Sequence, residues 1–336
     1  MKVAIHHTPG SFSDRWIDYC INNSIPYKIV NAFDSDIVER LDGCDAFMWH
    51  HHHAHFKDVL TAKRILFALE HSGLKVFPNF KTGWYFDDKV AQKYFLEAIE
   101  APLVPSYVFY DRDEALKWVN KTVFPKVFKL KGGAGSLNVK LIKTKKSAIR
   151  IINRAFKNGF SQHDRLEGFR ERLRKYKVGQ EDLVGLIKGG IRLFIPTNYS
   201  KQQSRERGYA YFQDFIPGLK FDIRVQVIGK RICALKRYVR ENDFRASGSG
   251  NLIELGPEDI DDRILKLALK IQQKVQSQSL TIDFILDGDN PLVVELSYGF
   301  PEKFYDNCQG FWDENLVWHN EKFNPQYWMV ENLLLS

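Results

Sequence analysis

The chain has 336 residues, 44% hydrophobic and 14% aromatic, which is enough apolar material to bury a core and too much for a disordered chain. Its longest apolar runs are too short to cross a bilayer, and its four cysteines (Cys20, Cys44, Cys233, Cys308) lack the CxxC spacing of a zinc knuckle or the pattern of a disulfide framework. A cytoplasmic protein with reduced thiols and no membrane insertion is therefore expected. The formal net charge of +8 suits nucleic acid, an anionic membrane surface or anionic small substrates alike, and charge alone does not choose among them.

Lys2 to Ile5 is a short β-type run that breaks at His6-His7-Thr8-Pro9-Gly10. Ser11-Phe12-Ser13-Asp14 then offers N-cap chemistry for a helix entering Arg15-Trp16-Ile17. Pro26 to Val30 and Ala46 to Trp49 read as further strands, with helical stretches at Ser35 to Leu41 and around Thr61 to His71. Alternating strands and helices predict a small Rossmann-like α/β domain over 1–85. Asp88 to Ile99 is apolar at Val90, Tyr94, Phe95 and Ala98, a helical spacing, and Pro102 and Pro105 follow it. Phe124 to Lys129 and Asn138 to Ile142 read as strands joined by the glycine-rich turn Gly132-Gly133-Ala134-Gly135-Ser136. The segment 161–207 carries 11 Lys and Arg against 6 Asp and Glu and is the most basic part of the chain. Beyond it, Tyr209 to Ile216, Phe221 to Val227 and Ile232 to Val239 read as strands. Asp261 to Gln276 reads as an amphipathic helix, and Leu280 to Leu286 with Leu292 to Leu296 as a strand pair around Asp287-Gly288-Asp289-Asn290.

Asp283 and Glu295 each interrupt an otherwise apolar strand of that pair. A buried carboxylate is costly unless it is paired or bound to a metal, so the two acids point to a divalent-cation site, with magnesium favoured by hard oxygen ligands, unless both face solvent on a sheet edge or pair with Arg and Lys.

Several segments occur in an order that resembles the ATP-grasp superfamily, in particular the branch of ribosomal-protein glutamate ligases and glutathione synthetases. They are Asp88-Lys89 opening a helix, Pro125-Lys126-Val127-Phe128-Lys129 with its glycine-rich loop, Gln213-Asp214-Phe215-Ile216-Pro217-Gly218, Phe221-Asp222-Ile223-Arg224-Val225, Ala234-Leu235-Lys236-Arg237, Asp243-Phe244-Arg245-Ala246-Ser247 and the Asp283/Glu295 strands. The resemblance runs from about Phe80 to Gly299 and implies an α+β protein: an ATP-grasp fold of two α+β lobes clasping ATP, preceded by the small Rossmann-like α/β domain. It divides the chain into a pre-ATP-grasp domain 1–85, a small lobe 86–215 with the glycine-rich lid and the basic insert 161–207, and a large lobe 216–336.

Carried over residue by residue, the resemblance implies that Lys129 and Lys89 neutralise ATP phosphates, under a cover formed by Gly133, Gly135 and Ser136. Gln213, Asp214, Phe215 and Ile216 would line the adenine, with Asp222 and Ser247 also contacting the nucleotide. Arg237 and Arg245 would face the transferring phosphoryl group as catalytic cations. Asp283, Glu295 and Ser297 would hold magnesium, or manganese. Relatives commonly read Glu-x-Asn where this chain reads Glu295-Leu296-Ser297, so the third ligand is a hydroxyl and a second ion is in question. The implied chemistry is ATP-dependent joining of a carboxylate to an amine through an acyl phosphate, all these groups meeting around one triphosphate.

The front loop offers His6, His7, Ser11, Ser13 and Arg15 as candidate substrate contacts at a strand end, or simply a capped helix start. His50-His51-His52-His53 and His55 follow a strand without a carboxylate or Cys spaced to complete a metal site. The aromatic C-terminal stretch around Phe311, Trp312, Trp318 and Trp328 either stacks on sugar rings or caps the core. Length and front loop resemble ATP-grasp ligases of bacterial surface-polysaccharide assembly, which implies a small-molecule or sugar carboxylate and an amine acceptor. The other readings kept open are a peptide- or protein-modifying amino-acid ligase, a nucleotide-binding scaffold without activity, and a basic nucleic-acid-binding module without ATP turnover. The sequence leaves the oligomeric state open.

Overall fold

The computed structural model of the chain describes residues 1–133, 138–161, 182–194, 205–240, 244–246 and 250–335, together with Phe169, Arg172, Leu173 and Tyr176. Gly135, Ser136, Ser247 and most of the basic insert 161–207 lie outside the described residues. The chain forms two compact units, one built from 1–86, 91–103 and 218–336, the other from 87–90 and 104–217.

The first unit contains a parallel four-stranded sheet of β1 (Val3–His6), β2 (Tyr27–Val30), β3 (Ala46–Trp49) and β4 (Lys75–Phe77) in the order β2-β1-β3-β4. Strands β1 and β3 are buried at every position, as expected of central parallel strands with apolar runs. Helix α1 (Phe12–Asn22) starts at Ser11, whose side chain accepts the Ser13 N–H, and it buries Phe12, Trp16 and Cys20 at intervals of four. Helix α2 (Ile37–Arg40) is a single turn, α3 (Phe56–His71) covers the sheet, and α4 (Phe80–Gly83) is a second single turn.

The same unit holds a larger sheet. Helix α5 (Lys89–Ala98) leads into the other unit's β5 (Ser106–Phe109), α6 (Arg112–Val119), β6 (Lys126–Lys129), β7 (Val139–Ile142), α7 (Lys145–Phe156), α8 (Leu183–Phe194) and β8 (Ala210–Asp214). The chain then returns as β9 (Phe221–Ile228), β10 (Arg231–Tyr238), β11 (Leu252–Glu254), α9 (Asp262–Val275), β12 (Ser279–Asp287), β13 (Asn290–Ser297), β14 (Phe311–Trp312), β15 (Trp318–His319) and α10 (Pro325–Leu335). These strands pair in the order β13-β12-β9-β10-β14-β15, with β11 also on β10. Gly288 supplies the positive φ of 59° in the turn between β12 and β13.

One face of this sheet, with Ile223, Val225, Ala234, Ile282 and Phe284, packs on Ile264, Leu265, Ala268 and Ile271 of α9. The residues that alternate with them, Ile228, Cys233 and Leu235, join Val3, Ile5, Phe12 and Trp16 together with the C-terminal Tyr298, Tyr305, Phe323 and Val330 in one core. The expected segments 1–85 and 216–336 thus share a hydrophobic core within one unit. Burial of facing apolar surfaces draws them together although more than a hundred residues separate them.

In the second unit the antiparallel sheet runs β5-β8-β6-β7. Its Phe128, Ala210, Phe212 and Ile142 pack on Ala115 and Val119 of α6 and Ala148 and Ile152 of α7. Helix α7 begins with a capping box of Thr144 and Ser147. Among the described residues no helix is long and apolar enough to cross a membrane.

Candidate active site

In the first unit a ladder of acids and arginines crosses the larger sheet. The register sets Asp222 opposite Arg237, Arg224 opposite Asp283, and Asp283 opposite Glu295. Directly paired residues share a face, and Asp222 and Arg224 are two apart on β9, so all five groups project from one side of the sheet. Arg237 donates to Asp222 through Nε (2.7 Å) and its terminal nitrogen (2.6 Å), and the same terminal nitrogen stands 2.8 Å from Asp283 Oδ2. Arg224 donates to both oxygens of Asp283, at 2.8 and 2.9 Å.

Asp283 and Arg237 are almost fully buried. Burial alone would raise the Asp283 carboxyl, but the Arg224 and Arg237 guanidiniums outweigh it and hold Asp283 well below the usual carboxylate range. Burial would likewise lower Arg237, and Asp283 and Asp222 more than offset it. Asp283 and Arg237 are therefore both charged, whereas burial raises the Asp222 carboxyl against the lowering pull of Arg237, whose guanidinium bridges the two acids.

A hard cation at this face would meet Asp283 and, directly across the strand pair, Glu295. Asp283 takes three guanidinium contacts, which leaves it about one of its roughly four lone-pair directions. Ser297 spends its hydroxyl proton on the Gly299 carbonyl at 2.7 Å and accepts the Gly299 N–H at 3.2 Å. Two adjacent carboxylates suit a single magnesium-class ion, which takes few protein ligands, and the hydroxyl adds little as a third. Arg245 is half-buried, and its carbonyl accepts the Arg240 N–H.

The second unit carries the lysines. Lys129, buried on β6, donates to Gln213 Oε1 at 2.6 Å, and Gln213 Nε2 donates to Ser106 at 3.0 Å. These groups lie on the sheet face opposite the one that packs on α6 and α7. Lys126 pairs with Asp214 at 2.5 Å. Lys89, also buried, donates to the Gly133 carbonyl at 2.8 Å, and the Gly133 N–H donates to Asp87 at 2.8 Å. Asp87 and Lys89 thus fasten the start of the glycine-rich turn, where Gly133 has a φ of 113°. Phe215 and Ile216 follow β8 and are half-buried.

The front-loop candidates separate into two kinds. His6 Nδ1 accepts the Ala32 N–H at 2.9 Å, and its ring meets Phe33 and Trp49 edge-on, so His6 is tied into the core. Ser13 is buried and exchanges hydrogen bonds with both backbone groups of Thr8. Arg15 is bound to Asp306, Glu302 and Gln326, which anchors α1 to the C-terminal segment. His7 and Ser11 remain half-buried around the start of α1, with His7 Nδ1 3.1 Å from Ser13 Oγ.

The histidine run is mostly packing. His50 stacks on Phe12 at 3.7 Å and accepts its N–H, and the His51 carbonyl accepts the Tyr298 hydroxyl at 2.6 Å. Burial pushes His50 down to about 3 and His52 down to about 4. Among the described residues these histidines form no three-ligand metal group. They do lie against the end of β13: a side chain at Gly299 would stand 3.5 Å from His50 Nε2. The residue that sequence reasoning overlooked is Arg224. Its signal was the alternation Asp222-x-Arg224, which places an acid and a base on one face of a strand.

No curated protein matches the chain. Among solved structures it is similar to the biotin carboxylase domain of the Hydrogenobacter thermophilus 2-oxoglutarate carboxylase in complex with Mg-ADP, ADP and bicarbonate, with a TM-score of 0.62 at 13% identity over 100% of this chain and 70% of that one. The RimK-domain ATP-grasp protein of Sphaerobacter thermophilus gives 0.56 at 14% identity over 100% of both chains. The D-alanine–D-alanine ligase of Bacillus anthracis complexed with ATP gives 0.53 at 13% identity over 89% of this chain and 86% of that one. Residues 185–301 match the family model of the RimK-like ATP-grasp domain, and with these likenesses they establish the chain as a protein of the ATP-grasp fold.

Proposed function

We propose that the chain is an ATP-dependent carboxylate–amine ligase. The observation that carries this reading is the pairing of Asp283 with Glu295 beside the Arg224 and Arg237 guanidiniums on one face of an ATP-grasp sheet. Neighbours of this fold that hold Mg-ADP or ATP support the nucleotide and the metal. In this reading Lys129 and Lys89 neutralise phosphate charge, with Gly133, Gly135 and Ser136 covering it. Gln213 to Ile216 line the adenine, and Asp222 and Ser247 contact the nucleotide. Asp283 and Glu295, with Ser297 at most through water, would hold one magnesium ion, which when bound screens the repulsion between carboxylate and triphosphate.

The carboxylate oxygen of the acid attacks the γ-phosphorus and ADP leaves. The amine nitrogen then attacks the acyl carbon, phosphate leaves, and the nitrogen loses a proton. Arg237 and Arg245 supply fixed positive charge for the first step. Arg224 is a positioning residue, since it fixes both Asp283 oxygens. His7 and Ser11, around the start of α1, are the front-loop groups available to a substrate carboxylate.

We take the acid to be a sugar acid or amino acid of bacterial surface-polysaccharide synthesis, on the support of chain length and the front loop alone. The test is a screen of amino acids and uronic acids, each with and without amines, for ADP release. ADP should form only when a suitable acid is present, and Glu295→Gln should abolish it. Failure to bind a nonhydrolysable ATP analogue, or ADP release that Glu295→Gln leaves unchanged, overturns the reading.

A further inference from the structure

Cys233 and Cys308 are 75 residues apart, yet their sulfurs meet at 3.5 Å, and both side chains are buried. Glu254 joins them. It lies on β11 opposite Leu235, which puts it on the same face of β10 as Cys233, and the two sulfurs and a carboxylate oxygen lie within 4.8 Å of one another. Among the described residues this is the only group of three or more His, Cys, Asp or Glu side chains close enough to share an ion. All three belong to the first unit and none has a part in the proposed ligase site.

The separations suit a metal. With metal–sulfur bonds of about 2.3 Å, tetrahedral geometry sets two sulfurs about 3.8 Å apart, close to the contact found. The ligands are also held in advance. Glu254 accepts the N–H groups of Gln309 and Gly310, the two residues after Cys308, at 2.8 to 3.2 Å, and so fixes the loop that carries the thiol. Gly310 packs so tightly that a Cβ there would stand 2.0 Å from the Trp318 ring. These three N–H contacts leave the Glu254 carboxylate about one of its roughly four lone-pair directions for an ion.

We propose that Cys233, Cys308 and Glu254 supply three ligands to a thiophilic divalent ion of the zinc class, with solvent in the fourth position beside half-buried Glu254, at a site distinct from the Asp283/Glu295 pair. Sulfur ligation selects against magnesium. Binding breaks two S–H bonds, forms two metal–sulfur bonds and releases both protons to solvent.

The full chain, reduced and stripped with a chelator, is titrated with cadmium while the ultraviolet thiolate-to-metal charge-transfer band and proton release are followed. One ion and two protons per chain are expected. Cys233→Ser and Cys308→Ser should abolish the band, Glu254→Gln should weaken binding, and Asp283→Asn should leave the band unchanged. Alkylation mapping of the unmutated chain in mild denaturant, where transient opening exposes buried thiols, guards against variants that fail to fold: zinc should slow the labelling of Cys233 and Cys308, whereas half-buried Cys44 reacts at the same rate with or without it. Absence of the band, a band that survives both serine variants, or loss of the two thiols to a disulfide without bound metal overturns the proposal.

Discussion

Replacing Arg237 with methionine removes the bridge of the acid–arginine ladder. Its guanidinium makes two bonds to Asp222 and a contact to Asp283, and only 4% of the residue is exposed. Methionine matches its stem without its charge. Asp222 loses both guanidinium bonds, whereas Asp283 keeps two from Arg224. Breaking a buried pair by removing one partner costs about 3–5 kcal/mol, against about 0–1 kcal/mol for a surface pair. In the Arg237→Met background, Asp222→Asn removes the stranded charge and should recover about 2 kcal/mol. Asp283→Asn should recover less, because it strands Arg224 in turn. The assay is urea unfolding without nucleotide or metal, followed by tryptophan fluorescence. Six of the seven tryptophans lie in the first unit, so the signal reports the part that contains the ladder. A loss below about 1 kcal/mol for Arg237→Met, or equal recovery by the two asparagine variants, would refute the claim that the ladder is a buried, bridged network.

Two other tests address the histidine loop and the lysine site. Burial holds His50, His51 and His52 below the ordinary histidine value, so below about pH 6.5 the unfolded chain binds protons that the folded chain does not. Stability should be full above that pH and fall toward the folded values of about 3 for His50 and about 4 for His52. The slope is at most about 1.4 kcal/mol per pH unit for each histidine, less for the partly exposed His50 and His52. A Tm that stays flat as the pH is lowered from 7 to about 5, or a slope that His50→Gln leaves unaltered, speaks against this account. Lys129→Met should weaken binding of a nonhydrolysable ATP analogue about tenfold or more, equivalent to about 1.4 kcal/mol, as read by calorimetry. It should also cost about 1–2 kcal/mol of stability by leaving Gln213 without its donor. Unchanged affinity would remove Lys129 from the nucleotide site.

The local order of the chain was legible in the sequence because the side-chain period reports which surface an element buries. Ala46 to Trp49 is a strand at the boundaries read from its apolar run, and the helix read over Asp261 to Gln276 is α9. The glycine-rich turn, Lys129, Asp283 and Glu295 could likewise be named from type and order. What the sequence left open was who meets whom. It left Asp283 open to a metal, to solvent or to a basic partner, and the register of β9 against β12 brought Arg224 to both carboxylate oxygens. It scattered the cysteines, and the fold of the C-terminal segment over β10 set Cys308 beside Cys233. It divided the chain at 85 and 216, and a shared core made the two ends one unit. Period and propensity are properties of neighbours along the chain. Pairing across strands depends on register and on the burial of distant faces, which exist only once the chain has closed on itself.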